Sequence, residues 1–375
     1  MRAPSKRVQA GLSFCVMCAS IIACGNGSSG TPAKSGAGAG GLTGTATGGG
    51  GNIGGSDGGS GNSAGTADEA GAQIQVPSPT RIALGIQYGC AIDSSGAIRC
   101  WGTPLSNGGQ TTPPTGQFST LAALVDVSCA VAAASNVECW GNISGAAADP
   151  IPSGLLAKTL GVGISEQCAV TNTGDLRCWG AAGVLTGTVP SGPYEGVGVG
   201  RNFACVLKQD GTLGCWGSNV FGESTPPSGQ FIQLATGEEH TCALHADGTV
   251  ACWGMGNSTM PTDGGDEPDA ASLPDQDRPW GQATPPSGKK FVRIAVGLVH
   301  SCGILESGDI TCWGAGQTQG DCSTIDTCGQ AIAQTGPFTD LALGYSNSCG
   351  ILSSGKIKCW GSDSGGRSTP PADFQ

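Results

Sequence analysis

The chain has 375 residues, 67 of them glycine, with only 12 % charged residues and a formal net charge of −11. An acidic balance with so few basic groups disfavours nucleic acid and anionic lipid surfaces as partners, because both are bound through Lys and Arg. Nineteen cysteines suit an oxidising compartment, where disulfides persist.

The chain opens with Arg2, Lys6 and Arg7, an apolar run from Val8 to Ala23, and then Cys24. A basic start before a short apolar core is the layout of a secretory signal. Ile21-Ile22-Ala23-Cys24 resembles a bacterial lipoprotein box, which implies that residues 1–23 are removed and that Cys24 is lipidated as the new N-terminus. Cleavage without lipidation, giving a secreted protein, and an uncleaved membrane helix are the alternatives. Losing the three basic residues of the signal takes the net charge from −11 to −14. Residues 24–74 are almost wholly Gly, Ser, Thr, Ala and Asn, too poor in apolar surface to offset chain entropy, and are expected to form a flexible tether. About 50 residues of such coil span about 40 Å.

Residues 75–375 read as one folded domain in which a single unit recurs seven times. Its cysteine pairs are Cys90/Cys100, Cys129/Cys139, Cys168/Cys178, Cys205/Cys215, Cys242/Cys252, Cys302/Cys312 and Cys349/Cys359, each ten apart and each followed by Trp-Gly. Two positions inside each pair stand aliphatic residues, such as Leu244/Val250 and Ile304/Ile310. Side chains alternate along a strand, so a cross-strand disulfide and an aliphatic pair share one face of a hairpin and are expected to form a buried stripe. The turn is a three-residue loop with glycine in the left-handed position. Ser135 replaces that glycine in the second unit, where an altered loop is expected. Small residues after the first cysteine, such as Ala91 and Gly303, are expected to admit a neighbouring sheet. A further strand precedes each hairpin, as in Phe231 to Gly237.

The first five Trp residues of the repeat are 39, 39, 37 and 37 apart, a period characteristic of propeller or solenoid units. The first unit lacks the Thr-Pro-Pro and Phe that precede later ones, and Thr369-Pro370-Pro371-Ala372-Asp373-Phe374 at the C-terminus supplies them. The expected fold is therefore all-β, a seven-bladed β-propeller with a disulfide-closed hairpin in each blade and the two termini sharing one blade. Setting aside Cys15, Cys18 and Cys24 leaves sixteen cysteines, so Cys322 and Cys328 are expected to form an eighth bridge.

Gly237, His240, Thr241, Ala243, Leu244, Asp247, Gly248, Val250, Trp253 and Gly254 resemble the regulator of chromosome condensation repeat, and the resemblance extends over about residues 80–375. It implies a seven-bladed propeller. The added cysteines, shorter units and Thr-Pro-Pro segments depart from that family and resemble its extracellular bacterial branch. The founder's nucleotide-exchange activity at chromatin is not carried over, since the compartment and the charge are both wrong for it.

Two connections are long: Trp253 to Trp313 spans 60 positions and Trp313 to Trp360 spans 47. The first carries Asp263, Asp266, Glu267, Asp269, Asp275 and Asp277, the second Cys322 and Cys328. Each leaves a Trp-Gly exit, so both are expected on one face, in neighbouring units. The acidic residues are the candidate binding site.

No metal or cofactor is expected. Nine residues between paired cysteines do not suit zinc, and the acidic loop lacks the Asp-x-Asp-x-Asp-Gly pattern of calcium loops. His240 and His300 hold the same repeat position, which points to structure, and no catalytic residue is assigned. The function expected is a monomeric binding scaffold for a protein or glycan, attached to the bacterial cell envelope through its lipid alone. The second reading is an envelope hydrolase or lyase with its site at the propeller channel.

Overall fold

The computed structural model describes residues 79–104, 108–142, 150–180, 185–257, 280–320, 322 and 328–374. Cys24, the signal, the tether and the acidic residues 263–277 lie outside the described residues.

Seven three-stranded antiparallel sheets follow one another along the chain, each with its strands in sequence order. Blade five is representative, with an inner strand Gln233–Thr236, a middle strand His240–Leu244 and an outer strand Val250–Gly254. Each inner strand touches those of both neighbouring blades, and the inner strand of blade seven touches that of blade one. The sheets therefore form a closed propeller.

The hairpin register is the one required by the cysteine spacing, with Cys242 opposite Cys252 and Leu244 opposite Val250. The seven hairpin bridges are present as expected: Cys90–Cys100, Cys129–Cys139, Cys168–Cys178, Cys205–Cys215, Cys242–Cys252, Cys302–Cys312 and Cys349–Cys359. The Trp-Gly step is dictated by space as well as by conformation. Gly254 has φ +91°, and a Cβ there would sit 2.5 Å from the Glu239 carbonyl oxygen.

The expectation of a wholly buried disulfide stripe is corrected, because the two ends of each bridge differ. The first cysteine stands on the middle strand and is fully enclosed in every blade. Its partner stands on the outer strand and is only partly covered at Cys100, Cys139, Cys215, Cys252, Cys312 and Cys359, and exposed at Cys178. The cause is position in the sheet. A middle strand has a paired strand on either side, whereas an outer strand has one and turns its other edge to the rim.

The hydrophobic core lies between blades rather than within them. The disulfide and aliphatic pair of blade one, Cys90, Ile92 and Ile98, with Cys100 at the margin, pack against Phe118, Leu121, Ala130 and Trp140 of blade two. Blade four packs on blade five in the same way, with Cys205, Leu207 and the partly covered Cys215 against Phe231, Ala243 and Trp253. The pattern also joins blade five to six and six to seven. The small residue after the first cysteine is thus needed by its own blade's leading Phe: a Cβ on Gly303 would lie 2.3 Å from the Phe291 ring. It also faces the neighbouring blade, as expected: a Cβ on Gly350 would lie 3.3 Å from the Ile310 side chain of blade six, and Ala130 and Ala243 share clusters with the disulfides of blades one and four.

Several interfaces are also pinned by a hydrogen bond, although the buried Trp313 indole nitrogen makes none. The indole N–H of Trp140 donates to the Gln110 carbonyl at 3.0 Å, that of Trp253 to Glu223 at 2.9 Å and that of Trp360 to Gln330 at 2.9 Å. In every case the acceptor lies on the exit loop of the preceding blade.

Two further expectations are corrected. Ser135 leaves the loop of blade two unaltered: it takes the glycine conformation, φ 69°, and its N–H donates to Ala132 as that of Gly96 does to Asp93. The expected Cys322–Cys328 bridge is not formed, and both residues stand as thiols. The seven bridges join residues opposed in a hairpin, whereas Cys328 is opposed to Gln319. Burial pushes the Cys328 thiol up to about 12, and the adjacent Cys322 side chain adds to that shift.

The termini close the ring. Phe374 is buried in a cluster with Ile82, Leu84, Ala91 and Trp101 of blade one and Cys349 and Ile357 of blade seven, against which Cys359 also packs. This is the place Phe118 holds one interface on. The Trp101 indole donates to the Arg367 carbonyl at 2.8 Å, and the Arg367 guanidinium donates to the Ile86 carbonyl at 2.8 Å. Phe374→Ala and Phe118→Ala are therefore expected to cost similar amounts, about 3 kcal/mol each, by urea unfolding. A loss below about 0.5 kcal/mol for Phe374→Ala alone would mean that the tail is not part of the ring.

Candidate functional site

The antiparallel order sorts the loops onto two faces. One carries the middle-to-outer hairpin turns and the entries to the inner strands; the other carries the inner-to-middle turns and the exits after Trp-Gly. We call these the hairpin face and the exit face. A cavity of about 500 Å³ runs along the axis and is lined by the seven inner strands. The bridged cysteines, from Cys90 and Cys100 to Cys349 and Cys359, stand on middle and outer strands and so belong to the frame rather than to this cavity.

On the hairpin face the polar residues at the cavity mouth bind one another across blade boundaries. Lys158 Nζ lies 2.6 Å from Glu195 Oε2, joining blades three and four. The Gln233 side-chain amide donates to the Ile294 carbonyl at 2.8 Å and accepts from the Ile294 N–H at 2.9 Å, joining blades five and six. Arg293 Nε lies 2.8 Å from Asp340 Oδ1, and the Arg81 N–H donates to Asp340 Oδ2 at 2.7 Å. Burial pushes the Asp340 carboxyl up, against the opposing pull of Arg293. These groups brace the ring; Glu195, the carboxylate among the described lining residues, is already held by Lys158.

On the exit face the axis is closed by apolar contact. Leu298 of blade six shares one hydrophobic cluster with Val162 and Ile164 of blade three, and Val125 of blade two and Tyr345 of blade seven pack on it. Blades three and six do not adjoin around the ring, so this contact crosses the axis. The two corresponding turn residues of blades four and five are charged, Arg201 and Glu238. Arg201 lies 3.4 Å from both Glu238 and Glu239. Burial, then the neighbouring Glu238, pushes the Glu239 carboxyl up to about 7, with Arg201 pulling down and Glu223 adding to the rise.

Both long connections belong to this face. The first leaves after Gly254 and returns at Trp280, and the second is entered from the Trp313-Gly314 exit and returns at Cys328. Glu223, Glu238 and Glu239 therefore lie in the sector of the first insertion, although the Asp263 to Asp277 carboxylates are outside the described residues. No spacing signal announced the Arg201–Glu238–Glu239 group, because its members come together only through the contact of blades four and five.

His240 and His300 lie between blades, away from the cavity. His240 Nε2 is 2.9 Å from Ser301 Oγ, and that hydroxyl donates to the Gln282 carbonyl at 2.9 Å. The hydroxyl proton being used, His240 carries its own on Nε2. His300 with Ser348 and Gln330 repeats the arrangement. Burial drives both histidines down to about 3. Between about 6.5 and 3 the unfolded chain binds protons at these positions that the folded chain does not, so their contribution falls as pH falls, by about 1.4 kcal/mol per unit for each histidine. Glu239 acts oppositely, its folded carboxyl keeping a proton from about 4.5 to about 7. Acidification from pH 6.5 to 4 is expected to lower the Tm of the wild type more than that of His240→Gln/His300→Gln. Equal losses would place the histidines in contact with solvent.

The regulator of chromosome condensation (RCC1) repeat pattern matches residues 195–223, 231–258 and 338–367, which cover parts of blades four, five and seven. No curated protein matches the chain in sequence. Among solved structures, the chain is similar to the CRINKLY WD40 ectodomain of the Arabidopsis thaliana receptor kinase ACR4, at 21 % identity over 80 % of this chain and 99 % of that one, TM-score 0.57. The ectodomain of the Physcomitrella patens receptor kinase CR4 matches at 22 % identity over 76 % of this chain and 74 % of that one, TM-score 0.55. Prp20p of Saccharomyces cerevisiae, described with its binding to Gsp1p and histones, matches at 17 % identity over 70 % and 80 %, TM-score 0.50. These likenesses bear on the fold. The chain is thus a seven-bladed propeller in which three blades carry sequence that matches the RCC1 repeat.

Proposed function

We propose that the protein is a cell-envelope binding scaffold that holds a protein or glycan partner on its exit face. The observation that carries this reading is an asymmetry: in a ring of near-identical blades, both long connections leave the exit face, from neighbouring blades five and six. Long loops on a rigid scaffold are where binding concentrates. Prp20p, of the same fold, is described with protein partners, which supports a protein here without naming it. The residues at the channel mouth are engaged in bracing the blades, which favours a loop-borne site over an enzyme in the channel. Seven disulfides suit an extracellular or other oxidising environment. Attachment through lipid on Cys24, in a bacterial envelope, fits the sequence of the N-terminus and the long Gly/Ser tether.

Cutting out residues 258–279 and 321–327 spares Gln282, Gln330 and Gln334, which serve the ring. The trimmed protein is expected to melt within a few degrees of the parent and to lose its native partner; retention of the partner would remove the insertions from the site. Cys24→Ser is expected to abolish labelling by a fatty-acid probe and release the protein from membranes. An unlabelled wild-type protein that is still exported would exclude the lipid anchor.

A further inference from the structure

Of the sixteen cysteines after Cys24, all but two are sealed in the hairpin bridges. Cys322 and Cys328, on the second long connection, stand as thiols. Cys322 is exposed and Cys328 is buried, yet the two side chains share a hydrogen bond. Cys328 is fixed through its backbone, by the bridge to Gln319. Cys322 holds a left-handed conformation, φ 57°, which costs a residue other than glycine about 1 to 2 kcal/mol. Backbone outliers of this kind gather at functional sites.

The pair lies against a hydroxyl and a positive charge. The Ser362 side chain hydrogen-bonds to Cys328, and the Arg367 guanidinium acts on both sulfurs. Arg367 is buried, and its hydrogen bonds run to neutral acceptors: the Ser364 carbonyl at 2.9 Å, the Ile86 carbonyl at 2.8 Å and the Ser346 hydroxyl at 3.2 Å. Its charge is therefore left to act on the thiols, with Asp363 the next group it meets. A guanidinium beside a cysteine favours the thiolate, which is the reactive form.

Access and burial divide the roles. A substrate arriving from solvent reaches the Cys322 sulfur first. Cys328 is kept protonated by burial, by its hydrogen bond to Cys322 and by the charge there. The last two of these influences end once the Cys322 sulfur is tied up in a bond to something else, whereas Arg367 and Ser362 go on pulling the other way. Cys328 is thus held back until Cys322 has reacted and released afterwards. The hairpin cysteines have no such arrangement, since each is bonded to the residue directly opposite it and the first of every pair is fully enclosed.

We propose that Cys322 and Cys328 form a thiol–disulfide exchange site, with Cys322 attacking and Cys328 resolving, and that the substrate is an accessible disulfide. The Cys322 thiolate attacks one sulfur of that disulfide. The substrate S–S bond breaks, a mixed disulfide forms at Cys322, and the first substrate thiolate leaves. The Cys328 sulfur, giving up its proton, then attacks Cys322 Sγ; the mixed disulfide breaks, the Cys322–Cys328 bridge forms, and the second thiolate leaves. Two electrons pass from the pair to the substrate, and the two protons of the pair go to the departing sulfurs. A dithiol runs the same steps backwards. This activity goes beyond the binding reading above and requires no partner on the exit face.

The test uses the full-length exported protein, purified and treated with a mild reductant. Two thiols per chain are expected, mapping to Cys322 and Cys328, with the seven hairpin bridges intact. Oxidised glutathione is then expected to form an adduct at Cys322 and to release two equivalents of glutathione per chain as the Cys322–Cys328 bridge closes. Cys328→Ser is expected to hold the adduct at least tenfold longer than the wild type and to release one equivalent. Cys322→Ser is expected to form an adduct at least tenfold more slowly. If Cys328→Ser does not fold, the wild-type stoichiometry decides, two equivalents supporting the proposal and one overturning it. A lasting Cys322 adduct in the wild type, a Cys322–Cys328 bridge as resistant to reductant as the hairpin bridges, or undiminished reactivity of Cys322→Ser would each overturn it as well. Insulin as a second probe distinguishes the sources of the disulfide. Reduction of insulin at least tenfold faster by the wild type than by Cys322→Ser assigns a protein disulfide, and exchange with glutathione alone assigns a low-molecular-weight one. Trimming residues 321–327 also removes Cys322, so the exchange is read in Cys322→Ser, which leaves both insertions at full length.

Discussion

Everything in this fold depends on one contact repeated around the ring: the disulfide and aliphatic pair of one blade against the leading residue (Phe in five blades, Ala157 and Tyr194 in blades three and four), the residue after the first cysteine and the Trp of the next. No single blade has a core. A three-stranded sheet of five-residue strands buries too little on its own to be stable, and here each sheet gains its apolar cover from two neighbours. The disulfide serves this contact twice, by closing the hairpin and by contributing sulfur to the buried face, where the first cysteine of every pair is fully enclosed. The tryptophan fills the interface, and at Trp101, Trp140, Trp253 and Trp360 it also donates its indole proton to the previous exit loop.

A stack built on such a contact has two unsatisfied ends unless it closes. The C-terminal Phe374 and the Trp101–Arg367 hydrogen bond make the last interface resemble the others, so no blade is left as an end. Closure also explains why the charged residues at the cavity mouth are paired across blades. The buried Arg293 is matched by Asp340, as a buried charge must be, and the partly exposed Lys158 by Glu195, each pair joining adjacent inner strands.

Much of this was legible in the sequence because the information is local and periodic. A cysteine pair with aliphatics two positions inside can satisfy alternation in only one register, and the displaced Thr-Pro-Pro and Phe at the C-terminus declared the closure. What escaped was set by contacts between units. Spacing treats the two cysteines of a pair alike, yet Cys168 is enclosed and Cys178 exposed, because only one of them stands on a strand flanked on both sides. The partner of Gly303 is the Phe291 ring, a relation that spacing alone does not reveal. Ser135 accepts a left-handed conformation because the surrounding hairpin imposes it, overriding a local preference that favours glycine. Cys322 and Cys328 satisfied parity without lying opposite each other in a hairpin. The Arg201, Glu238 and Glu239 group and the buried Glu223 carboxylate arise where blades four and five meet. The signal that pointed toward the latter was present: Gln110, Glu223, Gln282, Gln330 and Arg367 occupy one repeat position, and four of the five are not carboxylates.

Function enters where the repetition fails. A rigid ring with regular exits supplies a frame, and the departures on the exit face, two long connections and one unbridged cysteine pair, are what distinguish one sector from the rest. The account stands on the ring being a single cooperative unit with equivalent interfaces. Native-state hydrogen exchange measures this most directly. The middle-strand amides of blade one, Tyr88–Ile92, and of blade seven, Asn347–Leu352, are predicted to open with the same free energy as those of blade four, Phe203–Lys208, as one global unfolding event. Opening of the first or last blade at a free energy several kcal/mol lower would contradict the closed ring.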